Sequence, residues 1–246
     1  MSKVYADKIE PRDSSMDVTI GTSTNTVTLA GNDLRANTVK DSGGNTLWTS
    51  DGSGNLSNVN SALAGNLVLL STQTASGASS VSFTSDIDDT YDVYIFKFIS
   101  IHPSANNASF TFNGSSDSGS NYNVTKTTTL FDSQHNESGA NNALAYDYTR
   151  DLAQSTGFQI LNYKVDGASN DGTTSGSLYL FTPSSTTYVK HFYSTSQYMY
   201  YDVSSTYSIN SYCGGYFNTT SAVDAIRFQM DSGNIDDGTI KMYGLL

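Results

Sequence analysis

The 246-residue chain is short of several residue types, and each shortage excludes a class of protein. A single cysteine, Cys213, means that no intrachain disulfide can form. Three prolines and no strict glycine period exclude a collagen-like triple helix. Charged residues make up 14% of the chain, against roughly 25% in an average soluble domain, and Ala, Glu, Lys, Leu and Arg are too scarce for a helical bundle or coiled coil.

Positively charged residues are fewer than negatively charged ones. The chain has 12 Lys and Arg and 23 Asp and Glu, which gives a net charge of −11. A nucleic-acid binder needs a basic surface to displace counterions from phosphates, so we expect no nucleic-acid partner. An acidic surface disfavours anionic membranes, and no apolar run approaches about 18 residues, so we expect no membrane insertion. The first residues lack the apolar core of a signal peptide, which predicts synthesis in a cytoplasm without export by a cleaved signal.

The abundant residues indicate an all-β protein. The 17 Tyr and 11 Phe, with many Val and Thr, favour strands, and the 20 Gly with many Asn and Ser favour turns. This aromatic content fits poorly with disorder. A β-rich composition with many Ser, Thr and Asn residues suggests a protein that works outside the cell. The sequence nevertheless shows neither an export signal nor the cysteines of a disulfide framework. A virus particle resolves this tension, because its parts are made in a cytoplasm and then work outside.

The chain divides near residue 66 into a sparse first part and a richer second part. In residues 1–66, short apolar segments alternate with Gly and Asn turns, at 18–20, 27–29, 39–40, 47–48 and Leu56. Each segment offers only two or three apolar side chains, too few for one chain to bury a core. We therefore predict a thin, intertwined, homotrimeric stem, and the alternative is an irregular extended arm lying on a partner.

Residues 67–246 contain a series of strand-like segments separated by Gly, Asn, Asp and Ser turns, which predicts an antiparallel β-sandwich of jelly-roll type. The strongest segment, 91–101, is apolar on both faces, so we expect a central strand buried on both sides. Residues 234–238 have a composition typical of a turn, with Asn, two Asp and Gly. They therefore predict a hairpin in which 225–230 pairs with 239–245.

Several segments of the second part match a known pattern in the same order: VSFTS at 81–85, YDVYIF at 91–96, LAQSTGF at 152–158, FTPSST at 181–186, AIRF at 225–228, SGNI at 232–235 and GTIKMYG at 238–244. Together they resemble the terminal domain of fibre or appendage proteins in phages of marine bacteria, cyanophages among them. TVTLAGN at 26–32 and DSGGN at 41–45 resemble the virion-attachment stems of such fibres. The resemblance implies a homotrimeric virion structural protein with a stem and a β-sandwich head, and it brings no catalytic motif.

A local excess of tyrosine supplies candidate glycan contacts at Tyr198, Tyr200 and Tyr207, because exposed tyrosine rings stack on sugars while their hydroxyls form hydrogen bonds. The alternative is that these rings belong to the sandwich core or a trimer interface. Side chains alternate along a strand, so Tyr198 and Tyr200 should share a face that Tyr201 does not.

A cluster of acidic residues before the strongest strand supplies candidate calcium ligands at Asp86, Asp88 and Asp89, because hard cations favour clustered oxygens. A solvated acidic loop is the alternative, and we expect no other cofactor. Glutamate occurs only at Glu10 and Glu137. Glycosidases use two carboxylates, so a glycan-degrading spike is the least favoured class and we expect no catalytic residues.

These observations favour a non-enzymatic fibre or appendage subunit on the exterior of a phage particle. Residues 1–66 would attach it to other virion proteins, and residues 67–246 would form a head that adheres to a glycan or protein on the host surface. The alternative is a capsid decoration protein or head fibre that stabilises the shell.

Overall fold

The computed structural model describes residues 36–53, 56–60, 66–167, 171–202 and 205–245. Every helix or strand assigned within these ranges is a β-strand, which confirms the all-β prediction. No helix in the described ranges is long and apolar enough to cross a membrane. The chain divides into two compact units, residues 1–60 and residues 61–246.

The first unit contains a three-stranded antiparallel sheet in the order β1-β2-β3. Its strands are β1 (Thr38–Lys40), β2 (Thr46–Ser50) and β3 (Leu56–Ser57). The strands predicted at 39–40, 47–48 and Leu56 are thereby confirmed, and those at 18–20 and 27–29 lie outside the described residues.

The turn between β1 and β2 shows why this sequence forms a sheet with so little apolar material. One carboxylate oxygen of Asp41 accepts hydrogen bonds from the backbone amides of Gly43 (2.8 Å) and Asn45 (2.9 Å). Gly44 has a φ of +85°, which glycine adopts without steric cost. No residue in the described parts of this unit is buried, and Trp48 is only half-buried.

The second unit contains two antiparallel sheets. The larger has the order β4-β15-β6-β11-β12-β13-β8-β9, and its strands are β4 (Leu67–Ala78), β6 (Val93–Pro103), β8 (Lys126–Asn136), β9 (Asn142–Tyr146), β11 (Thr174–Phe181), β12 (Lys190–Asp202), β13 (Ser205–Phe217) and β15 (Ile235–Leu245). The smaller has the order β10-β7-β14-β5, and its strands are β5 (Val81–Phe83), β7 (Ala108–Ser115), β10 (Gln159–Val165) and β14 (Ala225–Met230).

The two sheets pack face to face around a core of phenylalanines, consistent with a β-sandwich. Phe228 of β14 lies at its centre, because its ring is within 6.4 Å of five others, namely Phe83, Phe96, Phe98, Phe110 and Phe112. Phe96 and Phe98 belong to β6 of the large sheet, and the other three belong to the small sheet. Aromatic residues at alternate positions of strands in both sheets therefore meet in one cluster.

Two predictions about strand pairing need correction. β14 and β15 do not form a hairpin, since β14 pairs with β5 and β7 while β15 pairs with β4 and β6. The turn predicted at 234–238 is also misplaced, because residues 235–238 already belong to β15 and the chain passes from one sheet to the other through residues 231–234. β6 is central, as predicted, but its second face is only partly buried, because Lys97 and Ile99 are exposed beside the buried Ile95.

A buried lysine joins the two sheets at one edge of the sandwich. Lys126 of β8 has no exposed surface, and its Nζ donates to Asn113 Oδ1 of β7 (2.8 Å), to the Gly157 carbonyl (2.6 Å) and to the Val124 carbonyl (3.2 Å). No carboxylate is among these acceptors. Desolvation by burial lowers the pKa of Lys126 from 10.5 to about 8.

Candidate functional site: the outer face of the large sheet

The outer face of the eight-stranded sheet, which is the face turned away from the smaller sheet, carries many aromatic side chains. The alternation along β12 is clear, because Phe192 and Ser194 are buried while Tyr193 between them is 45% exposed. On β13, Cys213 is buried and Tyr212 is 39% exposed. The aromatic residues of the outer face include Phe131, Tyr146, Tyr179, Phe181, Tyr193, Tyr212 and Tyr216.

Strand register arranges these rings in cross-strand stacks. Tyr193 lies opposite Tyr179 of β11, and their ring centroids are 4.7 Å apart with an interplanar angle of 11°. Tyr212 lies opposite Phe131 of β8, and their ring centroids are 4.8 Å apart with an angle of 9°. Each stack covers one face of each ring and so restricts the rings in place.

A groove runs between the two stacks, with Gly214 of β13 at its floor. Gly214 lies opposite Tyr193 on one side and opposite Thr129 of β8 on the other. Two adjoining depressions, of about 340 Å³ and about 240 Å³, share these three residues. Tyr216 lines the first depression and Tyr212 the second. We call this feature the Gly214 groove.

Apart from Cys213, the residues that line the Gly214 groove are aromatic, hydroxyl-bearing or glycine. Thr127 and Thr129 of β8 and Thr195 of β12 supply hydroxyl groups. Of the lining residues that the structure describes, none is Asp, Glu, Lys or Arg. The groove lining therefore offers neither a carboxylate nor an ammonium or guanidinium group to a ligand.

The three tyrosines singled out from sequence lie elsewhere, on the inner face of the same strands. Tyr198 is 2% exposed and packs with Val165 and Ile209, and Tyr200 and Tyr207 pack against this cluster with their rings 5.9 Å apart. The expectation of an exposed platform is wrong for Tyr198, because its strand turns this side chain under the sheet. Tyr198 and Tyr200 do share a face that Tyr201 does not, as predicted.

A depression of about 370 Å³ lies close to these tyrosines, at the far ends of β12 and β13. Tyr198 and Tyr207 contribute to its lining together with Glu137, Gln197 and Ser208. Tyr207 is half-buried, so a glycan contact at Tyr207 or Tyr200 stays a prediction.

The candidate calcium ligands are engaged in the structure of their own loop. One Asp88 oxygen accepts hydrogen bonds from the Thr90 amide (2.9 Å) and the Tyr94 hydroxyl (3.0 Å), and the Thr90 amide bond in particular lowers the pKa of Asp88. Asp86, at a φ of +62°, accepts a hydrogen bond from its neighbour Ser85. Within the described ranges, no group of three or more His, Cys, Asp or Glu side chains is placed to hold a metal ion, and Asp86, Asp88 and Asp89 are thus not gathered into a ligand set.

Cys213, the single cysteine of the chain, is a buried thiol. It faces the core beneath the Gly214 groove and is 3% exposed, and burial raises the pKa of its thiol to about 12. A protonated, enclosed thiol is a poor nucleophile.

Comparison with protein-family models, with curated proteins and with solved structures gave no match to the chain. The fold and the candidate site therefore define its class at the level of an antiparallel all-β protein with an aromatic sheet face, and its function is argued from those features.

Proposed function

We propose that the chain is a non-enzymatic subunit of a phage fibre or appendage that adheres to the host surface. The observation that carries this proposal is the contrast between its two units. The first has no buried residue in its described parts, and the second has its own aromatic core and a solvent-facing aromatic sheet face. An adhesive appendage requires a thin segment for attachment and a self-contained head with exposed rings.

The first unit supports the proposal that the subunit is a homotrimer. A three-stranded sheet with no buried side is too small to be stable alone, because folding must offset roughly 1–2 kcal/mol of backbone entropy per ordered residue. Neighbouring copies would cover the half-buried side chains of β2, which include Leu47 and Trp48. Light scattering of the purified chain should give three times the chain mass of 26.4 kDa, and a folded monomer would contradict the intertwined stem.

The strand order of the second unit supports a jelly roll. Eight strands, taken without β8, β9, β12 and β13, follow β4-β15-β6-β11 in one sheet and β5-β14-β7-β10 in the other. We infer that this is a jelly-roll sandwich, and that β12, β13, β8 and β9 extend the first sheet at one edge. Most of the aromatic outer face, including the Gly214 groove, lies on this extension and on β11 beside it.

The proposal is tested on particles of the phage that encodes the chain. Gold-labelled antibodies against residues 67–246 should bind intact particles at the tail or another appendage, and purified chain should compete with particles for adsorption to host cells. Labelling of the capsid together with loss of particle stability when the chain is removed would favour the decoration protein instead. Hydrolysis of host polysaccharide by the purified chain would contradict the non-enzymatic assignment.

A further inference from the structure

The glycine at the floor of the Gly214 groove is not explained by packing or by backbone conformation. A Cβ atom at Gly214 would meet nothing closer than Thr129 Oγ1 at 3.9 Å, and its φ is not positive. The next residue, Gly215, differs, because a Cβ there would lie 2.5 Å from the Thr127 carbonyl. Glycine weakens a strand interior by roughly 0.5–1 kcal/mol relative to alanine, and it often marks a place where a ligand approaches the backbone. Because residue 214 has no side chain, the floor of the groove is open.

The wall of the groove is a ring whose position is already restricted. Tyr193 stacks on Tyr179 through the face turned toward β11, so its other face is turned toward β13 and Gly214. The Tyr212–Phe131 stack closes one end of the groove. Rings held in this way lose little conformational freedom when a flat ligand stacks on them.

The dimensions fit one or two sugar rings. Tyr193 and Thr129 stand two strand spacings apart across Gly214, which is about 10 Å at the usual 4.7–4.9 Å between strands. Tyr212 and Tyr216 lie four residues apart along β13, which is about 13 Å. The first depression, of about 340 Å³, lies at the lower end of the range for ligand sites, and the second, of about 240 Å³, lies below that range and adjoins the first.

The chemistry of the groove selects a neutral ligand with hydroxyl groups. An aromatic ring offers a stacking surface for the C–H face of a sugar, and the threonine and tyrosine hydroxyls offer hydrogen bonds to its edge. The described lining residues include no carboxylate and no Lys or Arg. The net charge of −11 over the chain opposes the approach of an acidic polysaccharide.

We propose that the Gly214 groove is a binding site for neutral glycans, in which a pyranose ring stacks on Tyr193 above the open floor at Gly214. As a host-recognition site this inference rests on the proposed adhesive function, and it names the ligand class and the residues that bind it. The site is non-catalytic, since glycoside hydrolysis would need two carboxylates beside the bound sugar.

The test is binding of the full-length chain to an immobilised panel of neutral and acidic oligosaccharides from bacterial surface polysaccharides. Two variants change different parts of the site. Gly214→Val fills the floor of the groove, and Tyr193→Ala removes the stacking ring. Tyr148→Ala is the matched control, because that ring is 81% exposed and does not line the groove. Far-UV circular dichroism checks that each variant is folded.

Wild-type chain should bind neutral members of the panel, and both groove variants should lose at least about tenfold in affinity while the control keeps it. The proposal is overturned if Gly214→Val binds as well as wild type, if only acidic glycans bind, or if Tyr207→Ala abolishes binding and the groove variants do not. A change in oligomeric mass in Gly214→Val would also overturn it, by making the groove a contact between copies.

The two proposals fail separately. If purified chain blocks phage adsorption but binds no glycan on the panel, the groove assignment fails and the adhesive function stands. If the chain binds neutral glycans through the groove but antibodies find it nowhere on the particle, the groove assignment stands and the fibre assignment fails.

Discussion

Replacing Lys126 with methionine should destabilise the sandwich at neutral pH and remove a pH-dependent part of its stability. The ammonium group donates to Asn113 Oδ1, the Val124 carbonyl and the Gly157 carbonyl. Hydrogen bonds made by a charged group contribute about 1.5–3 kcal/mol each, so the three together contribute about 4–9 kcal/mol. Methionine has a similar length but no donor, and it leaves all three acceptors without this partner.

Burial of the charge acts in the opposite direction and has to be subtracted. Desolvation lowers the pKa of Lys126 from 10.5 to about 8, which corresponds to a penalty of about 3 kcal/mol when the amine is protonated. The hydrogen bonds outweigh this penalty, so we expect Lys126→Met to lower the free energy of unfolding by about 3 kcal/mol at pH 7.

The pH dependence has a definite sign. Between pH 8 and pH 10.5 the folded chain has released the Lys126 proton while the unfolded chain still holds it, so the stability of the wild type rises with pH in this window. The difference between wild type and Lys126→Met should therefore widen by about 2 kcal/mol from pH 7 to pH 9.5.

The assay is urea unfolding followed by far-UV circular dichroism at fixed protein concentration and several pH values. Lys97→Met is the control, because it makes the same change in net charge at an exposed position of β6. It should change stability by less than about 0.5 kcal/mol at each pH. Equal or greater stability of Lys126→Met at pH 7 would refute the hydrogen-bond argument, and a difference that does not vary with pH would refute the desolvated lysine.

Three other predictions follow from burial. Phe228→Ala should lower the free energy of unfolding by about 3–5 kcal/mol, measured by thermal or urea unfolding, because five rings surround this side chain. Phe131→Ala, on the outer face, should lower it much less. Similar losses in the two variants would refute the assigned core. Cys213 should resist maleimide labelling at pH 7 in the native chain and react in urea, so rapid native labelling would contradict its burial. A fragment of residues 67–246 should give the same cooperative unfolding of its β signal as the full chain, and residues 1–66 alone should not fold; an unfolded 67–246 fragment would show that the sandwich depends on the first part.

Local sequence patterns predicted the strands well and their partners poorly. The apolar segment at 91–101 correctly predicted a central strand, β6 at Val93–Pro103, but not that one of its faces is only partly buried. The hairpin predicted for β14 and β15 is wrong, and the turn predicted at 234–238 is misplaced, because β15 begins at Ile235 and the connection is residues 231–234. A Ser-Gly-Asn turn is compatible both with a hairpin and with a crossover between sheets, and only the hydrogen bonds made by distant strands distinguish the two.

The candidate site was missed for a related reason. Tyr193 and Tyr212 have the same chemical character as Tyr198 and Tyr207, and both pairs lie on β12 and β13. Alternation shows that Tyr193 and Tyr198 occupy opposite faces, but it does not show which face meets the smaller sheet. The sequence signal for the site is the alternation of aromatic residues at 179 and 181 and at 191 and 193. This alternation indicates an aromatic sheet face only once β11 and β12 are known to pair.

The sequence by itself determined that this is an all-β protein, with thin strands in the first part and aromatic-rich strands in the second, because strand propensity, turn residues and low charge are local properties. Only the tertiary structure decided which tyrosines reach solvent and that Lys126 is enclosed by carbonyl groups. It also decided that Gly214 opens a groove between stacked rings. These features depend on contacts between residues far apart in the chain, and a residue's type and its sequence neighbours do not specify them.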